Sequence, residues 1–174
     1  MELRLGKPGD EALMSRFYLQ NQAHLEPWEP RKDEGFHSKA AWTQRLEDRR
    51  QEFAAGRSAH FVSVENDQSA VVATCSLTNI VRGPFQAANM GYSVDKAYEG
   101  RGLMKELCVF VIGFAFDELG LNRVMANYMP RNARSAKLLE GLGFEKEGLA
   151  RRYLCINGSW EDHVLTALVN PNNV

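Results

Sequence analysis

The sequence predicts an α+β protein in which a mixed, mostly antiparallel sheet carries helices on both faces. Three observations predict it. Residues 60–64, 70–77 and 85–94 are β-rich runs separated by short turn-forming stretches, which reads as three consecutive antiparallel strands. Residues 103–119 place apolar side chains at helical spacing, between the last of those strands and a further strand at 123–128. Finally, Asn157-Gly158 separates two β-like runs, 152–156 and 159–168, and this dipeptide is a strong hairpin signal.

Taken in order, Leu3 and Leu5 alternate with Arg4 in a short first strand that Pro8-Gly9 ends. Asp10 is placed to cap a helix over 11–21. In Leu25-Glu26-Pro27-Trp28-Glu29-Pro30 two prolines bracket Trp28-Glu29, so the stretch reads as a shaped loop. It serves either as a substrate wall or as a site where Trp28 plugs the core edge. Ser38 opens a second helix to about residue 55, with Trp42, Leu46 and Phe53 on its apolar face and Gly56 ending it. The strands 60–64 and 70–77 turn at Glu65-Asn66-Asp67-Gln68, and Arg82-Gly83-Pro84 turns into 85–94. After the long helix, closed by Gly120, and the strand 123–128, Pro130 stops the chain. Asn132 then caps a short helix that Gly143 closes.

Composition bounds the function. At 174 residues the chain reads as one domain spanning 1–174, large enough for its own core. Lys plus Arg (21) almost balances Asp plus Glu (22), so bulk charge favours neither nucleic acid nor a membrane surface, and no nucleic-acid motif is present. No apolar run approaches the ~20 residues of a membrane span, and Met1-Glu2-Leu3-Arg4 lacks the pattern of a signal peptide. Cys75, Cys108 and Cys155 lie far apart with no metal-ligand spacing; they read as small buried hydrophobes in a reducing cytoplasm, and no metal is expected.

The stretch Asp95-Lys96-Ala97-Tyr98-Glu99-Gly100-Arg101-Gly102-Leu103-Met104 carries the chemistry. A strand precedes it and an amphipathic helix follows. The first N–H groups of a helix have no intrahelical partner, the helix dipole adds positive potential there, and glycines let an anion approach the backbone. The same two glycines also fit an ordinary tight turn. A nucleotide P-loop is excluded because no G-x-x-x-x-G-K-[ST] occurs; the dinucleotide fingerprint fails at Lys105.

Strand, Gly100-x-Gly102, amphipathic helix, strand, then Asn132-x-x-Ser135 with Leu142-Gly143-Phe144 resembles the GNAT N-acetyltransferases over essentially the whole chain. Within that family, Pro27-Trp28-Glu29-Pro30, Val81-Arg82-Gly83, Gly91-Tyr92-Ser93, Met125-Ala126-Asn127-Tyr128-Met129-Pro130, Glu145-Lys146-Glu147-Gly148 and Asp162-His163-Val164-Leu165-Thr166-Ala167-Leu168 are similar to the branch that acetylates N-terminal amines of ribosomal proteins. The resemblance implies the GNAT fold and acetyl transfer from acetyl-CoA by direct attack of an amine. The implied substrate is the N-terminal α-amine of a ribosomal protein, most closely an N-terminal alanine, and the small ribosomal subunit is a further partner the resemblance allows. It implies a pyrophosphate on the backbone of Glu99, Gly100, Arg101, Gly102, Leu103 and Met104, a pantetheine arm beside Tyr92, Ser93 and Val94, a bond from Asn132 to that arm, and an oxyanion at an N–H near Val94. Arg101 either pairs with a phosphate or is solvated.

Two positions depart from the family pattern. Ala97 stands where the phosphate motif begins with Gln or Arg, and Leu139 stands where many relatives place a proton-donating Tyr. The resemblance gives that donor role to Ser135, which otherwise reads as a helix-surface serine. Base candidates are Glu29, which equally suits attraction of a cationic N-terminus, and Glu161, Asp162 or His163, the last also readable as a satisfied core histidine. The competing readings are acetylation of a small amine such as a polyamine or aminoglycoside, and a CoA-binding ribosome-assembly factor.

Overall fold

A computed structural model describes residues 1–173. Strands β1 (Glu2–Leu5), β2 (Ala59–Val64), β3 (Val71–Val81), β4 (Ala87–Val94), β5 (Arg123–Met125), β6 (Glu145–Ile156) and β7 (Ser159–Val169) form one sheet in the order β1-β2-β3-β4-β5-β7-β6. Only β4 and β5 run parallel; every other neighbouring pair is antiparallel. The helices are α1 (Glu11–Gln20), α2 (Gln22–Leu25), α3 (Lys39–Ala54), α4 (Leu103–Gly113) and α5 (Ala133–Gly141).

Alternation along the strands divides the core between the two faces. On one face Met14 and Phe17 of α1 and Trp42 and Leu46 of α3 bury against Val62, Val64 and Val71. On the other, Leu107, Cys108, Val111 and Ile112 of α4 and Leu139 of α5 bury against Phe61, Ala73, Cys75 and Val124. Trp42 and Leu46 are each 1% exposed and sit four residues apart on the inner side of α3. Burying side chains of that size contributes about 1.5–3 kcal/mol each.

The Ser38 side chain accepts the Ala41 N–H at 3.2 Å, as its cap position requires. Asp10 stands before α1 but its carboxylate does not cap the helix. It takes both Nη atoms of Arg4, at 2.7 and 2.8 Å, and the Lys7 N–H at 2.9 Å. Burial pulls this carboxyl upward, but the Arg4 and Lys7 bonds and the Arg4 charge outweigh it and hold the group below its ordinary value. A carboxyl lowered on folding contributes stability above its unfolded pKa and loses it as pH falls through the folded value. Thermal melts taken from neutral pH downward are therefore expected to lose stability below the ordinary carboxylate range. Asp10→Asn should flatten part of that acid slope.

Several boundaries differ from the sequence reading. The proline loop begins helically: α2 ends at Leu25, and Glu26–Trp28 is a single 3-10 turn with Pro27 in its first positions, where a missing N–H costs nothing. The third central strand starts at Ala87, two residues late. The long helix ends at Gly113 and passes into a π-type turn over Phe114–Glu118, with the Leu119 N–H bonding the Phe114 carbonyl at 3.1 Å. β5 stops at Met125, and beyond it Tyr128 forms an isolated bridge with Val164. β6 begins at Glu145 and not at Arg152, where a positive φ of 50° marks an irregularity in its pairing with β7. Phe53 shares the face of Trp42 and Leu46 but, in the last turn of α3, it is 38% exposed, with its ring beside Phe114. Cys75 and Cys108 are buried as expected, but Cys155 is exposed on the edge strand.

Candidate active site

The site lies where the parallel pair splays. β4 and β5 pair only from Ala87 with Arg123 to Asn89 with Met125. Beyond that the chain follows β7: the Ala126 N–H bonds Thr166 at 3.1 Å and the Tyr128 N–H bonds Val164 at 3.2 Å. Residues 90–94 of β4 are thus left with an open edge. The Asp95 N–H bonds back to Val72 on β3 at 2.9 Å. By the alternation of strand amides, those of Tyr92 and Val94 turn the other way, into the opening.

A cleft of about 680 Å³ fills the gap. One end is the glycine turn. Asp95 caps the 3-10 turn Lys96–Tyr98, accepting the Ala97 N–H at 2.8 Å, and delivers the chain to Gly100 and Gly102 at φ of +72° and +79°. A Cβ at either glycine would meet nothing within 4 Å, so the space above the turn is open. No side chain caps α4, which starts at Leu103, so its first amides are left for whatever enters that space. Lys105, Arg134 and Lys137 line this end, against the single carboxylate of Glu99. Arg134 bonds that carboxylate, and His24 Nε2 lies 3.3 Å from it. An unsatisfied helix start flanked by three cations fits a polyphosphate.

The other end is built from α2, the proline turn, β4 and α5. Asn132 caps α5 through Oδ1, which accepts the Ser135 N–H at 3.1 Å; its side-chain N–H groups remain for the cleft. The Ser135 Oγ lies 2.5 Å from the Tyr92 hydroxyl. Ser93 donates to Glu29 Oε1 at 3.4 Å. Burial pushes the Glu29 carboxyl above its ordinary value, against the opposing pull of Lys32 and Ser93. Glu29 and Leu25 also line a second cavity of about 600 Å³ on the far side, walled by Tyr18, Phe36 and His37. There burial, with Arg45 and Lys32 nearby, holds the His37 imidazole neutral by lowering its pKa to about 4.

The proline turn is held across the cleft mouth. The Asn157 N–H at the β6–β7 hairpin tip bonds the Glu29 carbonyl at 2.9 Å. Arg131 lies over the Trp28 ring, bonds the Pro27 carbonyl and pairs with Glu161 at 2.8 Å. Behind it, the buried Asn21 donates to Asp95 at 2.9 Å and accepts the Lys96 N–H at 3.0 Å, tying the end of α1 to the glycine turn.

Of the residues singled out in the sequence, Tyr92, Ser93, Val94, Glu99, Gly100, Gly102, Leu103, Met104, Asn132, Ser135 and Glu29 line one cleft. Arg101 does not; its guanidinium stacks over the Tyr98 ring. His163 does not either. It is 4% exposed, its Nδ1 sits 3.1 Å from the Glu161 carbonyl, and its ring packs on Tyr153. Sequence reasoning missed His24, Tyr98, Arg134 and the Tyr92 side chain as parts of the lining. Among the described residues no group of three or more His, Cys, Asp or Glu is arranged to hold a metal ion, and no helix is long and apolar enough to cross a membrane.

Comparison with known proteins gives the family and the fold. Residues 1–145 match the family model of the acetyltransferase (GNAT) domain. The chain is 39% identical over 170 residues to the ribosomal protein uS5-alanine N-acetyltransferase of Escherichia coli, covering 98% of this chain and 88% of that protein. Its fold superposes on the crystal structure of the ribosomal-protein alanine acetyltransferase of Vibrio fischeri with a TM-score of 0.95 and 40% identity, over 98% of this chain and 93% of that one. It superposes on Mycobacterium smegmatis RimJ in complex with a CoA disulfide with a TM-score of 0.88 and 33% identity, over 96% and 80%.

Proposed function

The chain belongs to the GNAT acetyltransferase family, and from that premise we propose that it moves an acetyl group from acetyl-CoA to the N-terminal α-amine of a protein, the N-terminal alanine of ribosomal protein uS5 in particular. The observation that carries this reading is the polarity of one continuous cleft. A basic helix start lies at one end and the half-buried carboxylate of Glu29 at the other, and Glu29 also lines a second cavity of about 600 Å³.

Acetyl-CoA supplies an activated acetyl thioester. The residues that hold it in this reading are the amides from Glu99 to Met104, the open edge of β4 at Tyr92, Ser93 and Val94, and the Asn132 side-chain amide. Ser135 Oγ donates a hydrogen bond to the departing thiolate. A thiol of pKa near 8.5 leaves readily, so one hydroxyl suffices. Glu29 receives the cationic amine and takes its proton. His163 has no role in this arrangement, because its ring is enclosed away from the cleft.

An α-amine suits this site because the attacking nitrogen must be neutral. At pH 7.5 about a third of α-amines are already neutral, against about one lysine in a thousand. Deprotonating a lysine costs about 3–4 kcal/mol more, and Glu29 is the carboxylate the cleft lining offers at that end to meet it. The second cavity mixes Glu26, Glu29, Asp33 and Glu34 with Arg31 and Lys32, unlike a uniformly acidic polyamine trap. The reading places the protein in the cytoplasm with its ribosomal substrate, in keeping with three cysteines that are all free.

Thiol release from acetyl-CoA tests it with two peptides. One begins with the Ala sequence of ribosomal protein uS5; the other is the same peptide with its α-amine blocked and one lysine free. Turnover on the first alone is expected. Turnover on the blocked peptide overturns the α-amine reading; turnover on neither, with acetyl-CoA still bound, overturns the short peptide as a sufficient acceptor and favours a small amine or the assembled ribosomal particle.

A further inference from the structure

We propose that Tyr92 is a positioning residue for Ser135: its phenol donates to the Ser135 Oγ and turns the serine's own hydroxyl hydrogen into the cleft. This rests on the reading that acetyl-CoA occupies that cleft. Tyr92 and Ser135 come from β4 and from the first turn of α5, 43 residues apart, and their oxygens are 2.5 Å apart.

The direction of the bond follows from the chemistry of the two groups. A serine hydroxyl has one hydrogen and two lone pairs, and in a helix it commonly turns back on a carbonyl three or four residues earlier. Here its hydrogen-bonding partner is Tyr92. The Ser135 N–H is already taken by Asn132, which fixes the backbone from which the hydroxyl projects. The phenol is mostly buried, beside Cys75, Cys108 and Tyr128, and burial followed by those neighbours raises its pKa against the opposing pull of Ser135. It therefore keeps its proton throughout the neutral range. The phenol is mostly buried and the Ser135 Oγ is the hydrogen-bond partner for its one hydrogen, whereas the serine hydrogen has the cleft to turn into, so in this arrangement the phenol donates and the serine accepts. The serine hydrogen is then left to point at a third atom, and the open space at Ser135 is the cleft. Without the phenol, the Ser135 hydroxyl rotates freely and spends part of its time bonded to its own helix.

The test reads the thiol of bound CoA directly, from the ultraviolet absorbance of its thiolate against pH, and needs no acceptor. A hydroxyl donating to the thiolate lowers that thiol's pKa. Ser135→Ala is expected to raise it by about one unit, the size of a bond to a charged acceptor. Tyr92→Phe should raise it by about half a unit, through the loosened serine. Because Tyr92 acts through Ser135, the double variant should equal Ser135→Ala alone. Glu29 and Ser93, the other polar groups at that end, are unchanged in all three proteins. On whichever amine the wild type acetylates, kcat should follow the same pattern, about threefold down for Tyr92→Phe, with the KM for acetyl-CoA unchanged. On a Ser135→Thr background, which keeps a hydroxyl, Tyr92→Phe should again cost about threefold. An unshifted thiol in Tyr92→Phe overturns the proposal. So does a Tyr92→Phe loss that persists in full on Ser135→Ala, since a purely structural phenol would multiply the two losses. The wild-type rate on the alanine peptide answers the substrate reading separately.

Discussion

Gly100→Glu is expected to lower the affinity for acetyl-CoA by at least about 100-fold while leaving the protein folded. A Cβ at Gly100 meets nothing within 4 Å, so a side chain can start from there without displacing the turn, and its carboxylate competes for the place left for a phosphate. A carboxylate about 4 Å from a phosphate, at the effective dielectric of a protein surface, is opposed by about 4 kcal/mol. Half of that already gives a loss of more than tenfold, and the blocked amides of the α4 start add to it. The cost to folding is separate. Gly100 sits at φ +72°, a left-handed conformation that a side chain disfavours by about 1–2 kcal/mol, which lowers Tm by a few degrees in a chain of this length. Gly100→Ala carries the same strain without the charge, so it should share the Tm shift and keep most of the affinity. Calorimetric titration with acetyl-CoA, beside thermal melts of all three proteins, checks both halves. If Gly100→Glu binds as well as Gly100→Ala, the glycine turn is not the phosphate cradle.

That turn was legible because its signal is local: strand, two glycines and an amphipathic helix occupy one continuous stretch. The same holds for the Ser38 cap and the Asn157-Gly158 hairpin, where backbone conformation is dictated within a few residues. β6 was half missed for the opposite reason. As the outer strand it is exposed along almost its whole length, so Glu145 to Arg151 show no apolar alternation to read. The Arg131–Glu161 strut, the Asn21–Asp95 tie and the Tyr92–Ser135 pair join residues tens of positions apart, and nothing in the local pattern announces them. His163 misled because a histidine on a terminal strand looks available, whereas the paired hairpin encloses it.

Glu29→Gln is expected to reduce kcat on an α-amine acceptor by about 100-fold at neutral pH, the lower end of what a positioned base contributes. Glu29 is the one carboxylate at the acceptor end of the cleft, and it is shared with the cavity beyond. Burial raises its pKa, which makes it a better proton acceptor than a solvated glutamate. The sign of the pH dependence separates proton removal from simple attraction of the cation. An α-amine has a pKa of about 7.7–8.0. Below that the substrate arrives as a cation, and a base is needed to free the nitrogen. Above it the nitrogen is neutral on arrival, and an amide in place of the carboxylate is no longer a handicap in proton transfer. The gap between wild type and variant should therefore be widest near pH 7 and close to within a few-fold at about pH 9. If Glu29 only attracts the cation, the same closing of the gap will appear in KM, with kcat unchanged at every pH. A gap in kcat that stays constant across the range would assign Glu29 to holding the proline turn in shape, since only a proton acceptor loses its advantage when the substrate no longer carries the proton.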